Sequence, residues 1–365
     1  MAKRTPVRET TAATEPKASK DSQKKKPKQC SRLISCKKIK KDVYMITYDD
    51  ASKYIGEIDV ESRQRHGKGV FQTQQGDVME GHWKDDRFHG FGTRVFALTR
   101  DRHEGMYYKD KRHGRGTYLW INGDKYIGEF YNGRMQGSGI LLYSNGDVFE
   151  GTWSKGVIVD GTKTFSNGDK VQGSAEASTW TSGFLTGEGT KSFRNGDVYH
   201  GHLQLNVMSG HGRFLWANGD RYHGMWVCNQ MQGVGHFESS STSSSRDVYF
   251  GEFAKGQYHG HGRLQYASGA IYEGSFVAHR RHGRGVYRWI EGDITYEGMW
   301  ENNVPSGMGL YICEAYSYHG SWKDGWPHGS GIYVDRQSAC PRRHTFEYGR
   351  AIDTETPLVL DHLLF

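Results

Sequence analysis

Long hydrophobic runs are missing from this chain: no stretch reaches the roughly 20 apolar residues that a membrane-crossing helix needs. No apolar segment follows the basic start of the sequence, so a secretory leader is not expected either. Cysteine is scarce and scattered. Cys30, Cys36, Cys228, Cys313 and Cys340 are odd in number and far apart, which suits neither a disulfide framework nor a Cys-x-x-Cys metal site. Reduced thiols in a cytoplasmic protein are the expectation. Proline occurs only 7 times in 365 residues, and the mean hydropathy of −0.76 is too low for an aliphatic core of ordinary size.

Glycine and aromatic residues are abundant instead: 49 Gly, 22 Tyr, 16 Phe and 10 Trp. So many rings argue against a disordered chain and leave aromatics to supply the buried surface. One pattern returns about every 23 residues. A clean copy reads Tyr126-Ile127-Gly128-Glu129-Phe130, then Gln136-Gly137-Ser138-Gly139, then Tyr143-Ser144-Asn145-Gly146-Asp147. The first glycine of each copy falls at Gly56, Gly81, Gly105, Gly128, Gly151, Gly173, Gly201, Gly224, Gly251, Gly274, Gly298 and Gly320, which predicts twelve repeats.

Each copy reads as two strands. Tyr126, Gly128 and Phe130 alternate on one face of the first, and Gly137, Gly139 and Leu141 on one face of the second. Asn-Gly-Asp at 122–124, 145–147, 167–169, 195–197 and 218–220 predicts type I′ hairpin turns, because both central residues of that turn need positive φ. The opposite turns are polar, as at Lys109-Asp110-Lys111-Arg112. Rings of neighbouring strands are expected to cover the strand glycines. At about 4.8 Å per strand, the array would extend on the order of 110 Å before twist. The fifth and sixth repeats are degenerate, and the serine-rich stretch 239–245 reads as an exposed loop.

Aromatic-x-Gly-x-aromatic, His-Gly-x-Gly and Asn-Gly-Asp together resemble the membrane occupation and recognition nexus (MORN) repeat over residues 54–331. The resemblance implies an all-β fold, an elongated single-layer antiparallel array of β-hairpin repeats. Such arrays serve as assembly platforms, often in cilia, basal bodies and the cell cortex. The expected divisions are a disordered basic tail at 1–41, a capping strand at 42–53, the repeat array at 54–334 and a C-terminal cap or tail at 335–365.

Four groups of residues are candidates for function. Tyr126, Phe130, Phe149, Trp153, Tyr222, Trp226, Tyr296 and Trp300 recur as i, i+4 pairs around a glycine. They read first as core, and otherwise as an open aromatic groove for a partner helix or strand. His66, His89, His113, His259, His282 and His328 share one repeat position. Neighbouring repeats lie about 10 Å apart, whereas zinc ligands sit about 2 Å from the metal, so no metal is expected. Gly-x-Gly pairs such as Gly114-Arg115-Gly116 open no helix, so phosphate binding is disfavoured. With no nucleophile motif in the chain, neither catalysis nor a cofactor is expected.

The remaining candidates lie near the two ends. Residues 1–41 hold 14 Lys or Arg against 3 Asp or Glu, net +11, whereas the remainder is net −4. Lys24, Lys25, Lys26, Lys28, Lys37, Lys38, Lys40 and Lys41 would suit an acidic tubulin tail or anionic lipid ahead of nucleic acid. Thr356-Pro357 resembles a helix start before an apolar run. Leu358, Leu360, Leu363, Leu364 and Phe365 would cap the last sheet edge or dock on a second copy as a homodimer. The expected function is a non-catalytic scaffold for protein assembly in a cytoskeletal or ciliary, axonemal structure. A peripheral membrane adaptor for anionic phospholipids is the alternative.

Overall fold

The computed structural model describes residues 31–240, 245–290, 293–354 and 358–360, with backbone alone at 174 and 175. The described residues form 28 β-strands and no helix. Two compact units are present. One holds the described residues up to Ser166 together with Ser174–Phe184, and the other holds Asn167–Gly173 with those from Leu185 onward.

In the first unit β1 (Leu33–Lys40), β2 (Val43–Tyr48) and β3 (Lys53–Ile58) pair antiparallel in succession, and the hairpins continue to Val157–Thr164. In the second unit the succession runs from the strand Phe184–Ser192, which enters this unit at Leu185, to Arg350–Ala351. Two expected boundaries shift. Residues 33–40 form a strand and so are not part of a tail, because β1 pairs along the length of β2, from Leu33 opposite Tyr48 to Lys40 opposite Val43, with register shifts between Leu33 and Ser35 and between Lys38 and Lys40. Beyond residue 334, Pro341–Glu347 pairs with Trp326–Asp335 although no glycine pair marks it, His344 standing opposite Gly331.

The repeat glycines line up across strands. In the first unit Gly56, Gly69, Gly81, Gly92, Gly105, Gly116, Gly128, Gly139, Gly151 and Gly161 are successive partners. A second row runs from Gly189 to Gly331 in the second unit. Where the row passes Gly128 and Gly139, the Tyr126 ring occupies the space that a Cβ would take. Its hydroxyl donates to the Glu129 carbonyl at 3.1 Å. That carbonyl sits at a register shift in the ladder between the Tyr126 strand and the next, so the tyrosine both covers bare backbone and satisfies a carbonyl at a bulge.

The two glycines of each Gly-x-Gly therefore have different reasons, and they do not share a face. Gly139 lies under the Tyr126 ring, whereas Gly137 has φ +67° and faces Glu129 on the other side. The turn expectation is also corrected. Both central residues have positive φ at the opposite turns, for example Lys109 (48°) with Asp110 (69°) and Asn132 (52°) with Gly133 (87°). At Asn145-Gly146 only the glycine does, at 89°. Tyr143 N donates to Asp147 O and Gly146 N to Tyr143 O, a three-residue loop in which Asn-Gly needs one left-handed residue rather than two.

Candidate binding surface

Tyr126, Phe130, Phe149, Trp153, Tyr222, Trp226, Tyr296 and Trp300 are all buried, none more than 3% exposed. They form no open groove, because each ring packs on a neighbouring repeat as well as on its own. Tyr126 meets Phe130 at 5.2 Å and Trp153 at 5.0 Å between centroids, both edge to face. Tyr222 meets Trp226 at 5.3 Å and Phe253 at 5.0 Å, and Tyr296 meets Trp300 and Trp322 in the same way. Burial pushes the Tyr126 and Tyr222 hydroxyls up to about 12, which keeps them protonated donors.

The opposite face of the sheet carries the apolar surface instead. In the first unit three cross-strand pairs are apolar and exposed on both sides: Ile55 with Val70, Phe91 with Met106, and Ile127 with Ile140. All six are exposed, Phe91 most, at 52%. Strand alternation implies them, since each neighbours a residue of the glycine row, but attention to the glycines and rings passed over the residues between. Two of the histidines at the shared position make ring contacts with exposed tyrosines of this unit. His113 lies 5.6 Å from Tyr108 and 5.1 Å from Tyr131, and His89 lies 5.2 Å from Tyr108. Among the described residues no three His, Cys, Asp or Glu side chains gather as metal ligands would.

Both kinds of turn stitch repeats together. At the Asn-Gly-Asp turns, Asp124 Oδ1 accepts from Ser144 N at 2.8 Å and Asp147 Oδ1 from Ser166 N at 2.9 Å. The buried Lys163 ammonium adds an ion pair to Asp147 at 3.1 Å. Burial pushes the Asp147 carboxyl up, but the Ser166 N–H and Lys163 outweigh it and hold the group below its ordinary value. At the opposite turns, arginines lie over the aromatic core. Arg65 sits 4.3 Å from the Trp83 ring and pairs with Asp86 at 2.6 Å, and Arg281 sits 4.6 Å from Trp300. Arg112 lies over Tyr118 at 4.7 Å and borders a cleft of about 430 Å³ lined also by Trp120, Phe130, Arg134, Met135 and Lys155. The sequence held a signal for this cleft, the glycines Gly133 and Gly156 at a turn position where Asp86 and Asp110 stand elsewhere.

Of the basic candidates, Lys37, Lys38 and Lys40 lie exposed on β1 and Lys41 in the turn after it. Lys24, Lys25, Lys26 and Lys28 lie outside the described residues. Lysines on an edge strand discourage pairing with another chain, a structural role beside any binding one. At the other end Leu358, Val359 and Leu360 run extended, where the sequence suggested a helix start. Arg350 bridges Val359, Ala351 N donates to Leu358 O, and Leu360 is 2% exposed. Leu363, Leu364 and Phe365 lie outside the described residues.

The sequence profile of the MORN repeat matches eleven segments: 64–78, 80–97, 103–125, 126–148, 178–198, 199–221, 222–243, 249–271, 272–294, 296–316 and 318–337. The chain belongs to the MORN repeat family. The MORN segments leave 149–177 unmatched, where the fifth and sixth of the twelve expected repeats depart from the pattern. Among solved structures, the chain is similar to the TCP10 domain of CPAP from Danio rerio in complex with a STIL peptide. The identity is 10%, over 66% of this chain and 92% of that one, at a TM-score of 0.37. It is also similar to the TCP domain of SAS-4 from Drosophila melanogaster with a proline-rich motif of Ana2, at 12% identity, 50% and 83% coverage and a TM-score of 0.25. Likeness at this level carries no inference about function. No curated protein matches the MORN chain. No described helix is long and apolar enough to cross a membrane.

Proposed function

We propose that this MORN protein is a non-catalytic scaffold for protein assembly in a cytoskeletal or ciliary structure. The observation that carries the reading is the row of apolar pairs on the outer face of the first unit. Ile55, Val70, Phe91, Met106, Ile127 and Ile140 are exposed on a sheet whose core already lies on the other face. Apolar side chains clustered on one surface and not needed by the core mark a site for another protein. The cytoskeletal placement draws on the resemblance to MORN assembly platforms and on the basic segment, whose charge suits an acidic polymer. In this reading the last residues close the sheet edge or dock on a second copy.

Proximity labelling in the cells that make the protein tests the outer face. The Phe91→Glu, Met106→Glu double variant should melt within a few degrees of the parent and lose the partners that the parent labels. An unchanged partner set would remove the outer face from the reading. Sedimentation with anionic vesicles separates the membrane alternative: a scaffold stays in the supernatant when the vesicles pellet, and an adaptor does not.

A further inference from the structure

At the opposite turns the second residue holds the start of the equivalent strand in the preceding repeat. Asp86 Oδ1 accepts from Arg65 N at 3.3 Å and Arg65 Nε at 2.6 Å, and Asp110 Oδ1 accepts from Phe88 N at 2.8 Å. Asn206, Asn229 and Asn303 do the same for Leu185, Met208 and Arg281. Where that residue is glycine there is no side chain to accept. Gly325 and Gly349 face Pro305 and Pro327, which carry no N–H, so acceptor and donor are missing together.

Arg112 and Met135 keep their N–H groups and face Gly133 and Gly156, whose own N–H groups donate to the Arg112 and Met135 carbonyls at 2.9 Å. A Cβ built on Gly133 or Gly156 would meet nothing within 4 Å. At the comparable Gly256 in the second unit, the Met231 methyl borders the space, 4.0 Å from such a Cβ. The open positions at Gly133 and Gly156 belong to the cleft of about 430 Å³ described above.

Arg112 and Arg65 share a pose. Each guanidinium donates to the carbonyl of the second turn residue, Arg112 to Gly133 O at 2.7 Å and Arg65 to Asp86 O at 2.6 Å. Each lies over aromatic rings, Tyr118 and Phe130 for Arg112, Phe71 and Trp83 for Arg65. What Arg65 has at its turn and Arg112 does not is a carboxylate. Burial lowers the pKa of the Arg112 guanidinium, a sign of the cost of holding a charge there and the reason a counter-charge would be favoured.

We propose that this cleft binds a side-chain carboxylate from an acidic segment of a partner protein, seated beside Arg112 and Gly133 as Asp86 is seated beside Arg65. The carboxylate accepts from the Arg112 N–H and guanidinium, and Arg134 and Lys155 add positive charge around it. Tyr118, Trp120 and Met135 offer apolar surface to the residues on either side of the acid, so the segment is an Asp or Glu flanked by apolar residues. The inference rests on the scaffold reading and names one of its contacts.

Fluorescence anisotropy of the full chain with a labelled peptide of Asp and Glu alternating with Leu and Phe tests it, against the same peptide carrying Asn and Gln. The decisive variant is Gly133→Asp, which supplies the carboxylate internally. Asp86 and Asp110 already tolerate this turn position at φ 66° and 69°, so the variant should fold. The acidic peptide should bind the parent and lose about tenfold or more in affinity both with Gly133→Asp and on conversion to Asn and Gln. An Arg134→Glu, Lys155→Glu double variant should show the same loss without altering the turn. Equal binding by Gly133→Asp, equal binding of the neutral peptide, or no binding to the parent would overturn the proposal. So would displacement by inorganic phosphate as effective as by glutamate, which would make the cleft a general anion site. If peptide binding fails while the outer-face variant still loses its cellular partners, the cleft is wrong and the scaffold stands.

Discussion

The two units differ in how regularly they repeat, on both faces of the sheet. In the second unit Tyr199, Tyr222, Tyr249, Tyr272, Tyr296 and Tyr318 cover the glycine row from Gly201 onward, with Leu185 over Gly189 at its start, and every one of these hydroxyls donates to a carbonyl three residues on. Among its described cross-strand pairs none is apolar and exposed on both sides: Val234 stands opposite Glu252, Phe250 opposite His236 and Met308 opposite Ser321. In the first unit the covering position reads Tyr54, Met79, His103, Tyr126 and Phe149, while the outer face carries the three apolar pairs. A repeat can lose the tyrosine hydroxyl and keep its ring, or a ring supplied by a neighbour such as Phe88 over Gly92, and still close its core. The second unit is the more uniform framework, and the first holds both the apolar surface and the carboxylate cleft.

The largest effect expected inside this comparison comes from removing a ring. Tyr222→Ala should cost about 3–5 kcal/mol, because a fully buried ring and its hydrogen bond both go. Met79→Ala should cost clearly less, since Met79 is only half-buried and Phe88 shares its task. Denaturant unfolding that finds the two equal would mean the covering positions are not equivalent in the way the glycine row implies.

Next in size is overpacking of the row itself. Gly128→Val should lose roughly 1–3 kcal/mol, since its Cβ would strike the Tyr126 hydroxyl and sit 2.7 Å from Gly139 Cα. Glu129→Val, whose side chain faces the other way, should lose less. Matching melting temperatures for these two would show the faces to be misassigned.

A pH effect singles out the first unit. His103 takes the tyrosine position, hydrogen-bonded to the Tyr107 hydroxyl at 2.7 Å and wholly buried. Burial, with the Arg112 charge nearby, lowers its pKa to about 3. The folded state therefore holds His103 neutral while the unfolded chain takes up a proton below about pH 6.5. The resulting loss begins as pH falls through the unfolded value and grows by about 1.4 kcal/mol per unit until the folded value is reached. His103→Tyr, the residue of the sister repeats, should reduce the difference in stability between pH 7 and pH 5. A variant with the parent's slope would show that other groups carry it.

The smallest effect is that of one hydroxyl. Tyr222→Phe should cost about 1 kcal/mol, the usual worth of one hydrogen bond, and urea midpoints would resolve it. No change would mean that the Met225 carbonyl is satisfied without the tyrosine.

The repeat, its strands and its core rings were legible because alternation and glycine placement act locally, as in Tyr126-x-Gly128-x-Phe130. What was not legible depends on partners across strands. Asn145-Gly146 looks like a two-residue turn until the pairing of Tyr143 with Asp147 fixes a three-residue loop. Gly137 looks like a companion of Gly139 until the bulge turns it toward Glu129. The lysines at 37, 38 and 40 read as tail because β1 is nearly all exposed, its strand character coming from backbone pairing to β2 rather than from an apolar face. The cleft was hidden for a different reason: Gly133 becomes informative only when set beside Asp86 at the equivalent turn.

Non-ionic detergent extraction of cells expressing a tagged copy of the chain tests the central claim most directly. A cytoskeletal scaffold should remain on its structure in the insoluble fraction after membranes are dissolved, and should leave it when salt weakens the attachment of the basic segment. Complete release together with the membrane lipids would contradict the scaffold reading and favour the membrane adaptor.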